Sequence, residues 1–497
     1  MKLLSPDELA RLSPAETDSY PSPIPTQIVA SEEFFPVPQT ARQKQVEQRL
    51  NARADAHGRK NGLNRRQFFK TAAGMATAFM AMNDVYGPLY GVSEAEAASV
   101  ETAAERAAAL SGQFVFDGHT HFLRDDTRIT AFLDMRKAVG KAKWNPELAG
   151  KPQTLDDLKY ENWKKEIFLD SDTKVAIITN APSDVPRDWF ITNEDAAAAR
   201  RKINDEAGSK RLLAHAVFTP GAPGWLDRVD HDIAVNKPDS WKGYTIGDNT
   251  HKDTSKYPWR MDDEKLVYPF YEKIQKAGYD IVCVHKGLFP PSAERAFDRL
   301  RPYVDVSDVG QAAKDFPKIR FVVYHAGYRW AGGPVADAWK QFEETGRVDW
   351  VTDLAGIPEK YAVTNVYADL GQIFALTTVA EPRICAAMMG QLVKGLGADH
   401  IVWGTDAVWT GAPQWQIEAL RRLEIPKDMQ LKYGFKPLGA ADGPVKTAIL
   451  GGTSAKLYNY SPQHAGLESD RFAALKAEYE RDGRDPSNLR YGYVLNG

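Results

Sequence analysis

The run Ile281-Val282-Cys283-Val284-His285, preceded by Gly278, and the run Arg320-Phe321-Val322-Val323-Tyr324-His325, preceded by Pro317, decide the fold. Each holds a short, unbroken apolar stretch with β-branched residues, and each ends in a histidine. A continuous run, rather than an alternating one, is what a strand shows when both faces of a parallel sheet are covered. The glycine and the proline mark the joints at which helices hand over to these strands. Working outward, similar runs occur at Phe114–Asp117, Val175–Thr179, Leu212–Phe218, Gly243–Ile246, Asn365–Ala368 and Ile401–Gly404. Amphipathic segments such as Leu266–Ala277, Ala293–Leu300 and Pro382–Leu396 lie between them. Strand and helix alternating eight times predict an α/β fold, a (β/α)8 TIM barrel. Residues 220–241 and 239–259 are rich in Pro, Gly and Asp, and read as long βα-loop insertions. The barrel is expected over 112–460, followed by a C-terminal extension, 461–497, with a surface helix at Arg471–Arg481.

The chain has 497 residues, 43% hydrophobic and 26% charged, which excludes collagen, coiled coil and disorder throughout. The net charge of −3, from 63 basic and 66 acidic residues, gives no electrostatic footprint for nucleic acid. Two cysteines make no disulfide framework, and Cys283 reads as a buried thiol. No window approaches 18 uninterrupted apolar residues, so no stable membrane insertion is expected.

Residues 1–100 read as a leader, mostly irregular. Prolines crowd its start, as in Ser22-Pro23-Ile24-Pro25 and Phe35-Pro36-Val37-Pro38. Then come Asn64-Arg65-Arg66-Gln67-Phe68-Phe69-Lys70, an Ala/Met-rich stretch from Thr71 to Met82, and Ala95-Glu96-Ala97. This order resembles a twin-arginine export signal: paired arginines, an aromatic residue, a lysine, a weak apolar segment and a small-x-small cleavage site. The resemblance implies the export machinery as a partner and a periplasmic or exported location. Asn64 stands where Ser or Thr is usual, and about sixty residues precede the arginines. The alternative is a surface helix carrying a chance arginine pair.

Ten histidines occur in the chain, and four of them follow three apolar strands. The first strand runs into Asp117-Gly118-His119-Thr120-His121. Residues two apart on a strand face the same way, so His119 and His121 can present two imidazoles to one cation. His285 and His325 end the fifth and sixth strands, and Asp406 follows the eighth. Barrel active sites are built at these C-terminal strand ends. Two imidazoles, a third nitrogen and a carboxylate suit one divalent ion, zinc first and manganese as the alternative, with a position left for water. His215 lies inside a strand and reads as a hydrogen-bonded barrel residue.

These positions resemble the amidohydrolase superfamily, and more closely its amidohydrolase-related branch, which includes aminocarboxymuconate-semialdehyde decarboxylase and the resorcylate-type decarboxylases. The anchors are Asp117–Phe122, Val284–Gly287, Tyr324–Gly327, Trp403–Trp409 and Ile449–Tyr460. The resemblance implies that His119, His121, His285 and Asp406 hold the metal and that His325 is the acid/base or polarising histidine. Binuclear members carry a modified lysine on the fourth strand. Here Thr245 takes that place in the expected register, with Lys242 nearby, so one metal is expected. Lys286, Arg329, Trp330 and Trp409, with Tyr328, are candidates for substrate binding, with rim packing as the alternative.

The leading functional expectation is a hydrolase in which a metal-activated water attacks a small ester, lactone or amide, with Asp406 taking its proton. The alternative is non-oxidative decarboxylation of an aromatic or unsaturated acid. A weaker one is a non-catalytic binding protein on the same barrel. A small-molecule substrate is the expected partner, and a homo-oligomer is allowed.

Overall fold

The computed structural model describes residues 22–26, 39–127, 129–142, 154–481 and 483; the motif Phe35–Pro38 and the chain end after the last of these lie outside them. Eight parallel strands pair in sequence order: β1 (Val115–Thr120), β2 (Thr173–Ile178), β3 (Leu212–Val217), β4 (Ser240–Tyr244), β5 (Ile281–His285), β6 (Arg320–Tyr324), β7 (Val366–Asp369) and β8 (Ile401–Val402). Consecutive parallel neighbours joined through helices form the expected barrel. β8 is short, and the ring closes beyond it, where Gly118 N donates to Trp403 O at 2.8 Å and Asp406 N to His119 O at 2.8 Å. The seam of the barrel therefore sets Asp406 beside the histidines of β1.

β5 and β6 fall where their apolar runs place them, but β4 does not. It occupies Ser240–Tyr244 rather than Gly243–Ile246. Gly243 is not the start of this strand but its fourth residue. A Cβ there would lie 2.5 Å from the Trp259 ring and 2.7 Å from that of Phe218, so two aromatic side chains from neighbouring loops press on the bare backbone. Only glycine permits that approach. The shift turns Lys242 toward the barrel interior, while the Thr245 hydroxyl donates to the carbonyls of His285 (3.1 Å) and Tyr303 (2.6 Å).

The expectation of an irregular leader is corrected for its described part. Helices cover Ala41–Lys60, Arg65–Phe69, Ala72–Tyr86 and Glu94–Ala98, with a further one at Val100–Leu110. Thr40 and Asn64 each close a capping box with the glutamine three residues on. Phe68, Phe69, Phe79 and Met82 are buried within the same apolar cluster that packs the barrel helices. The helix Gln414–Arg422 clamps this segment: Arg422 reaches the Glu96 carboxylate at 2.5 and 3.1 Å, both side chains under a tenth exposed. No described helix is long and apolar enough to cross a membrane.

Candidate metal centre

His119 and His121 are delivered by β1 and the residue just past it, and Asp406 by the seam. Nε2 of His119 lies 3.1 Å from Nε2 of His121, and Asp406 Oδ1 lies 3.2 and 3.3 Å from the two. All three residues are buried. The protonation of His119 follows from its other side. Its Nδ1 stands 3.0 Å from Asp369 Oδ1, which also receives the backbone N–H of Gly371 at 3.0 Å. An oxygen that accepts from an amide is an acceptor, so Nδ1 carries the proton and Nε2 offers a lone pair. A tetrahedral cation with bonds of about 2.0–2.1 Å holds its ligand atoms about 3.3–3.4 Å apart. The observed spacings fit that edge length, and the donor set suits a divalent ion. Burial, and then the positive charge of Lys242, hold His119 well below the usual imidazole range, which keeps it neutral as a ligand must be.

His285 stacks on Tyr244, with ring centres 4.7 Å apart, and its ring lies 4.6 Å from that of His325. It borders the triad without entering the mutual contact that joins the other three expected ligands. The Nδ1 of His325 donates to Gly371 O at 2.9 Å, so its Nε2 is the acceptor nitrogen. His325 and Asp406 both hold left-handed backbone, at φ 58° and 60°. Each such non-glycine residue costs about 1–3 kcal/mol, a strain that concentrates at functional sites.

Lys242, not Thr245, reaches the centre: its Nζ lies 3.3 Å from His119 Nε2 and 3.0 Å from the Thr179 hydroxyl. Thr245 faces away, toward the loop at Tyr303. Of the substrate-binding candidates, Trp409 lines the centre, its ring 5.6 Å from that of His121 and stacked on Phe132. Lys286 is turned outward into a fully buried pair with Asp308 at 2.8 Å. Arg329 is held by Glu294 at 2.9 Å and Asp349 at 2.6 Å, and covers the faces of Trp330 and Trp350. Tyr328 is buried. His215 bridges Ser240 and Tyr324 inside the barrel, at 2.6 Å to each, which fits its expected packing role.

Two carboxylates escaped the sequence reading. Asp117 accepts from the amides of His119 (3.1 Å) and Thr405 (3.0 Å) and from the Thr405 hydroxyl, and burial pushes it up to about 7. It pins the β1 turn to the seam. Asp369 ends β7 and orients His119; burial raises it well above the carboxylate range, against the pull of the Gly371 and His325 amides. The second was legible as a strand-end aspartate of the same kind as Asp406. A cavity of about 350 Å³ opens among the loops after β2, β3 and β4, lined by Trp189, Phe218, Tyr244, Tyr257 and Trp259.

No curated protein matches the chain. Among solved structures, an uncharacterised TIM-barrel protein from Bordetella bronchiseptica is 14% identical, over 70% of this chain and 98% of that one, with a TM-score of 0.44. The 2,6-dihydroxybenzoate decarboxylase from Rhizobium is 12% identical over 70% and 99%, with a TM-score of 0.40. The 5-carboxyvanillate decarboxylase from Sphingomonas paucimobilis is 13% identical over 70% and 100%, also at 0.40. The profile of the family described as amidohydrolase matches residues 116–460, from β1 to just past the helix Thr453–Leu457. With that match spanning most of the chain, and with the histidines of β1 and the seam aspartate gathered at one end of the barrel, the chain belongs to the amidohydrolase family.

Proposed function

We propose that the protein is a metal-dependent hydrolase of small carbonyl substrates, with one divalent ion per chain. The convergence of His119 Nε2, His121 Nε2 and Asp406 Oδ1 within 3.3 Å carries this reading. His285, beside them, is the proposed fourth ligand, and zinc is the first candidate ion, with manganese second. A divalent ion there supplies Lewis acidity and brings the pKa of a bound water toward about 7. Asp406 orients the attacking water and takes its proton. His325, its Nδ1 anchored on Gly371 O, aims the other nitrogen at the carbonyl or the leaving group. Trp409 and the aromatic cavity wall exclude water and pack the substrate. The second set of possible ligands, His119, His325 and Asp369, shares His119 with the first, and Asp369 is already engaged by the Nδ1 of that histidine, which favours one ion. Elemental analysis giving two per chain would instead assign Lys242 the bridging role of the modified lysine in binuclear relatives.

The second reading is decarboxylation of an aromatic acid, favoured by the rings that line the centre and the cavity. Carbon dioxide released from a panel of hydroxybenzoates, with no ester, lactone or amide cleaved, would select it.

His119→Ala and His325→Ala separate ligand from acid/base. His119→Ala is expected to lose metal and activity together. His325→Ala is expected to keep the metal and to lose about 10²–10⁴-fold in rate, the usual contribution of a positioned acid or base. Metal content and turnover of both variants check this. A metal-free His325→Ala beside a loaded His119→Ala reverses the assignment.

Export by the twin-arginine route is the proposed destination, supported by the arginine pair, which is exposed at a capped helix start. Arg65→Lys combined with Arg66→Lys is expected to keep the protein in the cytoplasm. Cell fractionation with an unchanged distribution would retire this reading.

A further inference from the structure

We infer that Asp369 is a positioning residue of the metal centre: from the end of β7 it fixes the tautomer and the aim of the His119 ring and ties that ring to the backbone carrying His325. This rests on the reading of His119 as a ligand. Asp369 is fully buried. Its Oδ1 receives three donors: His119 Nδ1 at 3.0 Å, Gly371 N at 3.0 Å and His325 N at 3.4 Å. Among the described residues no lysine or arginine hydrogen-bonds to it, and its Oδ2 has no hydrogen-bond partner. A buried carboxylate with one oxygen unmatched is costly in a fold, by about 1–3 kcal/mol, and nothing in the β-ladder requires it. The geometry explains its presence. A histidine that offers Nε2 to a cation is oriented by a carboxylate or carbonyl at Nδ1, and such partners raise ligand basicity.

Two glycines keep the room in which this carboxylate and imidazole meet. A Cβ on Gly404 would stand 2.0 Å from Asp369 Oδ2 and 2.7 Å from His119 Cβ. A Cβ on Gly371 would stand 2.3 Å from His119 Nδ1 and 2.8 Å from Asp369 Oδ1. Neither glycine has a positive φ, so space and not backbone conformation demands them. The Gly371 carbonyl also anchors Nδ1 of His325. The turn after β7 thus holds the ring of His119 through Asp369 and the ring of His325 through Gly371.

Asp369→Asn tests this, because it fits the same space but its carboxamide can turn a donor instead of an acceptor toward Nδ1, so the tautomer and aim of the His119 ring are no longer fixed. The full chain is stripped with a chelator and titrated with Zn²⁺ alone. Zinc affinity is expected to fall about 10–100-fold, with the unfolding midpoint of the stripped protein unchanged. Gly404→Ala, which displaces the carboxylate and removes no polar group, is expected to weaken zinc binding in the same direction. Unchanged affinity in Asp369→Asn overturns the inference. So does a loss of stripped-protein stability that accounts for the whole loss of affinity, which would make Asp369 a brace for the β7 turn. If the unaltered protein takes up no zinc, the ligand reading of His119 fails first, and that outcome is distinct from either.

Discussion

Asp406→Asn is expected to cost about 10²–10⁴-fold in turnover through loss of the base alone, and to lower metal content as well, making it the most damaging exchange at the centre. The variant is nearly isosteric, and the backbone N–H of residue 406 still reaches His119 O, so the seam can close as before. What changes is the character of the atom 3.2 and 3.3 Å from the two imidazole nitrogens. An amide supplies no charge to balance a divalent ion, and half of its orientations turn a donor toward lone pairs. Turnover and elemental analysis, beside an unfolding curve, check the expectation. A loaded variant with near-normal turnover would remove Asp406 from both proposed roles.

Arg422→Ala is expected to destabilise the fold by about 3–5 kcal/mol, the range for leaving a buried charge without its partner. The guanidinium is 2% exposed and serves Glu96 at 2.5 Å, Glu418 at 3.2 Å and Gly91 O at 3.3 Å. Arg106, 3.8 Å from Glu96 and 2.8 Å from Glu418, covers part of the loss, so the lower end of the range is the better expectation. The denaturant midpoint should fall at an unchanged slope. A shift below about 1 kcal/mol, the worth of an exposed pair, would mean that the segment containing Glu96 is not held by this contact.

Eight strands were legible because strand-like runs, several of them continuously apolar, alternate with amphipathic segments, although the fourth was placed out of register. The strand-end rule then found four histidines and an aspartate that the fold brings to one end. Two of the misses share a cause, long-range contacts with no local trace. Gly243 looks like a strand start because nothing nearby in sequence announces Trp259 lying over it. That error of register exchanged Thr245 for Lys242. Lys286 and Arg329 look available beside their strand ends, but Asp308, Glu294 and Asp349 occupy them. Asp369 was missed by one residue, where the expected seventh strand stopped at Ala368. The expectation of an irregular leader overlooked the capping pairs at Thr40 and Asn64, which announce helices.

The seam between β1 and the segment after β8 joins residues far apart in the chain; Thr405 N and Asp117 Oδ1, 3.0 Å apart, are separated by 288 positions. Contacts of such long sequence separation form late, because loop-closure entropy must be met before they repay it. His119 and Asp406 face each other only once that closure is made, so no partly folded intermediate owns the complete centre. An ion that binds there prefers the closed ring over every open one and adds RT ln(1 + [L]/Kd) to its stability. A centre that held an ion would therefore double as a clasp, favouring the closed barrel over its open forms.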